Sequence, residues 1–73
     1  MEKTKNLIQA INQTYMYRDK KEEYIRKMRV FVSLEWKYKV EQWYKWDSKK
    51  NIKFSSYNIK EVNCYLTGYL DAL

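Results

Sequence analysis

The chain has 73 residues, so it is read as one domain spanning 1–73 with no space for a fused catalytic unit. A single cysteine, Cys64, excludes an internal disulfide, and the absence of histidine removes the commonest metal ligand and the imidazole base of nucleophilic catalysis. The net charge of +6 at pH 7 and the 18% aromatic content describe a folded, basic protein, since disordered chains are poor in aromatics.

The charge is concentrated in the middle of the chain. Residues 18–53 carry twelve Lys or Arg against six Asp or Glu, while the two flanks nearly balance. Such a segment attracts phosphate or an acidic protein surface. No apolar stretch follows Met1 to Asn6 as in a secretory signal, and no run approaches the roughly 18 apolar residues of a membrane span. A soluble protein of the cytoplasm is expected.

In chain order, a first helix is expected from Thr4 to about Tyr15, with Leu7, Ile8, Ile11 and Tyr15 forming one apolar stripe. Asp19 and Glu22 then have the spacing of a capping box, which would open a second helix. From 28 to 40 two periods compete. Met28, Val30, Val32, Leu34, Trp36, Tyr38 and Val40 alternate as in a strand, whereas Ile25, Met28, Val32, Trp36, Val40 and Trp43 recur every three or four residues as in a helix. No Pro occurs and the only Gly is Gly68, so no residue forces a turn, and a strand of 13 residues would be long. The expectation is therefore an all-α, small three-helix domain with a long central helix over about 20–46. The alternative is an α+β fold with a hairpin at about 38–57 packed on two helices.

Asp47 to Asn51 is dense in turn-forming residues and is read as a loop. A final helix starts at Asn58, which has capping-box spacing to Glu61, with Tyr57 and Val62 at the positions of a hydrophobic staple. Its large ridge is Ile59, Val62, Leu66, Tyr69 and Leu73. Cys64, Gly68 and Ala72 form a second ridge of small residues, read as a close packing contact with Cys64 buried.

Chemistry is mainly excluded. One Cys and scattered carboxylates offer no zinc or calcium spacing, one Gly cannot form a phosphate loop, and adjacent Glu22 and Glu23 do not face each other on a helix. The chain is expected to be non-enzymatic, without cofactor or metal. The residues with binding character are the tryptophans, because Trp and Tyr dominate interaction hot spots and stack on bases. Trp46, surrounded by Lys45, Lys49, Lys50 and Lys53, is the candidate partner-binding cluster. Trp36 and Trp43 are read as core residues and, with Gly68, as a possible subunit interface.

Rich usage of Lys, Asn, Tyr and Ile, with almost no Gly, Pro or Ala, fits an AT-rich genome. In size and style, notably from Phe54 to Leu73, the chain looks like small accessory proteins of phages and mobile elements, including the anti-CRISPR inhibitors. That resemblance implies an inhibitor or modulator that docks on a host nucleic-acid-handling or defence protein or ribonucleoprotein. The other expected functions are direct DNA or RNA binding through the basic middle segment and homo-oligomeric assembly, a homodimer for example.

Overall fold

The structure is a computed structural model that describes residues 2–19, 25–45, 47 and 49–73. Its elements run α1 (Glu2–Asp19), β1 (Arg26–Val32), β2 (Tyr38–Tyr44), β3 (Asn51–Ser56) and α2 (Ile59–Asp71). The three strands form one antiparallel sheet in the order β1-β2-β3. The protein is thus α+β, and the expected all-α three-helix domain with its long central helix is corrected: residues 26–44 form two strands and a turn. β2 and β3 pair antiparallel as the hairpin of the rival reading would, but that reading lacked β1, and Asn51, expected in the loop, opens β3.

The physical cause of the correction lies at Ser33–Lys37, where the chain reverses without Gly or Pro. Ser33 donates its N–H to the Lys37 carbonyl at 2.9 Å and accepts from the Trp36 N–H at 2.9 Å. Its hydroxyl oxygen also accepts from the N–H groups of Glu35 and Lys37, at 3.3 and 3.4 Å. The reversal requires one left-handed residue, ordinarily Gly or Asn, and here Trp36 takes it with φ 62°. A reading that waits for Gly to announce a turn passes over this one.

Once the chain turns, the period of two sorts the side chains between the two faces of the sheet. Met28 and Val40 are buried towards the helices, with Val30 and Phe54 packed beside them. The fully buried cluster is completed by Ile11 and Tyr15 of α1 and Val62 and Leu66 of α2. The apolar stripes expected on both helices do face this core, although α1 runs beyond Thr4–Tyr15 at both ends. Opposite β2, the register steps from Val40↔Phe54 to Glu41↔Ile52, so Lys53 is the extra residue of a bulge on the edge strand.

The other edge of the sheet is closed by α1. Asn12 accepts from the Met28 N–H through Oδ1 at 2.8 Å and donates to the Met28 carbonyl through Nδ2 at 3.0 Å, doing for β1 what a neighbouring strand would do. The end of α1 is tied to the start of β1 by Asp19, whose carboxylate accepts from the Arg26 guanidinium at 2.8 and 2.9 Å and from its N–H at 3.1 Å. Asp19 was expected to cap a second helix with Glu22; Glu22 lies outside the described residues, and Asp19 is committed to Arg26. The two helices meet through Thr4, which donates to Asn63 Oδ1 at 2.5 Å, and through a hydroxyl–hydroxyl bond between Tyr15 and Tyr69 to which Gln42 also donates.

α2 begins where expected. Asn58 is extended and its side chain accepts from the Lys60 N–H at 2.9 Å. The returning arm of the capping box is relayed: Glu61 accepts from the Ser56 hydroxyl at 3.1 Å, and that oxygen accepts from the Asn58 N–H at 3.0 Å. Tyr57 does not staple to Val62, since it is exposed beneath Lys37 while Val62 is buried. The small-residue ridge is also corrected. Cys64, Gly68 and Ala72 lie on the exposed side of α2, and a Cβ added to Gly68 would meet nothing within 4 Å. Val62 and Leu66 set the rotation of the helix, because a large apolar ridge buries more area than a small one.

Candidate partner-binding surfaces

Two surfaces stand apart from the core. The first is the β1–β2 turn. Leu34 is fully exposed and Trp36 is 82% exposed, with Val32 and Tyr57 also largely open at the same end of the sheet. Lys37 lies over the Tyr57 ring at 5.3 Å from its centroid. Trp36 was expected in the core on the strength of its three-and-four spacing; it lies instead at the far tip of a hairpin, where no side chain can reach the core.

The second surface is the face of the sheet turned away from the helices. Register places Phe31 beside Lys39, Arg29 beside Glu41 and Lys27 beside Trp43, all at alternate positions to the core-facing Met28, Val30 and Val40. Glu41 is buried beneath its neighbours and paired with Arg29. That pairing holds the Arg29 guanidinium over the Phe31 ring, 5.0 Å from the centroid. Lys50 reaches Trp43 from the β2–β3 loop, with its ammonium 5.4 Å from the ring centroid. Among the described residues, four cations and two aromatic rings thus share one face with one carboxylate, Glu41, which Arg29 already pairs.

The expected cluster is divided by this geometry. Trp46 lies outside the described residues. Lys45, Lys49 and Lys50 are exposed in the segment joining β2 to β3, and Lys53 is exposed at the bulge. Two hydrogen bonds shape this segment, one from Lys45 N–H to the Ile25 carbonyl at 2.8 Å and one from Lys49 N–H to the Asp47 side-chain Oδ1 at 2.9 Å. Lys50 joins the Trp43 ring on the open face. Trp43, expected in the core, is half-buried on that face, and Gly68 belongs to neither surface.

Lys27, Arg29, Phe31 and Lys39 were missed as candidates. Their signal was present in the alternation of residues 28–40, of which only the apolar set was read. Leu34 and Tyr57 gave no such signal, because an exposed apolar residue has the same spacing as a buried one.

The two resolved titration shifts of largest structural meaning belong to the core side. Hydrogen bonds from Arg26 hold the Asp19 carboxyl below its ordinary range, and burial together with the Tyr69 hydroxyl pushes the Tyr15 phenol well above its own. Among the described residues, no group of three His, Cys, Asp or Glu could hold a metal ion, and no buried side-chain nitrogen or oxygen lacks a hydrogen-bond partner. No helix among them is long and apolar enough to cross a membrane. What the two surfaces can do is bind, through desolvation of rings at the turn and through charge with stacking on the open face. Comparison with protein families, curated proteins and solved structures found no match to this chain.

Proposed function

We propose that the protein is a non-enzymatic docking module whose β1–β2 turn inserts into a pocket of a partner protein, with Leu34 and Trp36 as anchors. The observation that carries this reading is the cost of Trp36 where it stands. A bulky residue held at φ 62° forfeits about 1–3 kcal/mol of backbone energy, and exposure leaves its indole without packing in return. Burying that indole, roughly 150–250 Å² at about 25 cal/mol/Å², would contribute about 4–6 kcal/mol on a partner. The gain exceeds the strain, so the side chain has its use in a complex.

The partner class follows the chain's likeness to phage and mobile-element accessory proteins: a host nucleic-acid-handling or defence complex, CRISPR-like systems included. The basic charge supports a partner that is acidic or carries nucleic acid, and lysines beside the docking site would act mainly on association rate. The host cytoplasm is the corresponding location.

Affinity capture from a candidate host lysate tests the reading, using the parent chain beside Trp36→Gly and Leu34→Ser, each with and without nuclease. Proteins retained by the parent through nuclease treatment and lost with Trp36→Gly support docking by the turn. Equal capture by all three chains rejects it. Sedimentation checks the homo-oligomeric alternative, since a concentration-dependent dimer abolished by Trp36→Gly would assign the turn to self-association.

A further inference from the structure

We propose that the open face of the sheet binds single-stranded nucleic acid, with Phe31 and Trp43 as base-stacking platforms and Lys27, Arg29, Lys39 and Lys50 as phosphate ligands. This goes beyond docking by the β1–β2 turn and uses none of its residues.

Charge complementarity selects the occupant. Along the face, cations and rings alternate: Phe31 pairs with Lys39 on the neighbouring strand, and Lys27 pairs with Trp43. Glu41, the one carboxylate on this face among the described residues, is buried and bound to Arg29, so it repels an incoming phosphate less than a free carboxylate would.

The rings favour an unpaired strand over a duplex. Phe31 and Trp43 are separated by four residues along the sheet, about 14 Å at the rise of an antiparallel strand, so bases two or more nucleotides apart on an extended unpaired strand can reach both. Stacking requires an open base face, which a duplex hides and a single strand offers. An acidic polypeptide satisfies the lysines but leaves the rings without flat partners. Arg29 and Lys50 lie over the rings in the free protein; an entering base takes their place on the ring faces, and the cations turn to its phosphates.

The test is fluorescence anisotropy with a labelled 20-nucleotide oligothymidylate, with a hairpin duplex and polyglutamate as competitors, across a salt series. The expected result is preference for the single strand, with a slope of log affinity on log salt near -3 if all four cations engage, about -0.7 for each. Phe31→Ala and Trp43→Ala should each weaken binding about 5- to 150-fold, whereas Trp36→Gly should leave it unchanged. A second readout does not depend on how well the alanine variants fold. In the Trp36→Phe/Trp46→Phe chain Trp43 is the remaining indole, and its fluorescence should be quenched on adding the oligonucleotide. No binding at low salt, equal or tighter binding of the duplex or polyglutamate, or an unquenched Trp43 would overturn the proposal.

Discussion

The two faces of one sheet divide the work of the molecule. β1 and β2 present Met28, Val30 and Val40 to the helices and, one residue out of step, Lys27, Arg29, Phe31, Lys39 and Trp43 to the other side. The first set is interchangeable with any apolar set of similar volume, because its energy comes from area removed from water. The second is chemically particular, with each ring matched to a cation. On the proposed reading, stability and recognition are encoded by alternate letters of the same strands, and substitutions on the two faces should separate them.

The largest effect should come from the covered face. Met28→Ala removes a side chain that is 1% exposed at the centre of the core and should cost about 2–5 kcal/mol in urea unfolding. Lys39→Ala, on the open face of the neighbouring strand, should stay within about 0.5 kcal/mol. Similar losses at both positions would mean that the open face is packed in solution, and the contrast would collapse.

A smaller effect is expected at the Asp19–Arg26 tie, which belongs to the covered side but is polar. Asp19→Asn should cost about 2 kcal/mol, the worth of a charge-assisted pair with a nearly buried carboxylate. The pH dependence has a definite sign. Because the folded carboxyl titrates below its unfolded value, the contribution is complete above the ordinary aspartate pKa near 3.8 and is lost as pH falls through the lower folded value. The parent should therefore lose part of its stability below about pH 4, and Asp19→Asn should show less of that loss. Parallel pH profiles would remove Asp19 from the account.

The smallest changes should be gains. Trp36→Gly relieves the left-handed turn and should stabilise the fold by about 1 kcal/mol while removing docking by the turn, a pairing of gain and loss typical of residues kept for binding. Gly68→Ala, in an exposed helix position with open space around it, should raise stability by about 0.5–1 kcal/mol. Thermal unfolding reads both. Destabilisation by Gly68→Ala would restore a packing role to the small-residue side of α2.

Local sequence sufficed for the two helices, their apolar stripes and the Asn58 cap. These depend on neighbours within one or two turns: Ile11 and Tyr15 lie four apart, and Asn58 captures an N–H two residues on. It also placed the excess charge in the middle of the chain and marked 28–40 as period-two. Tertiary structure decided between helix and strand there, because both periods were present and the reversal that separates them rests on Trp36 in a conformation usual for Gly. It decided as well that Trp36 is exposed, that Lys50 meets Trp43, and that the open face gathers Phe31 with Lys39. Those pairings join residues on neighbouring strands, and which partners meet is set by register, a property of strand pairing that no single stretch of the chain contains.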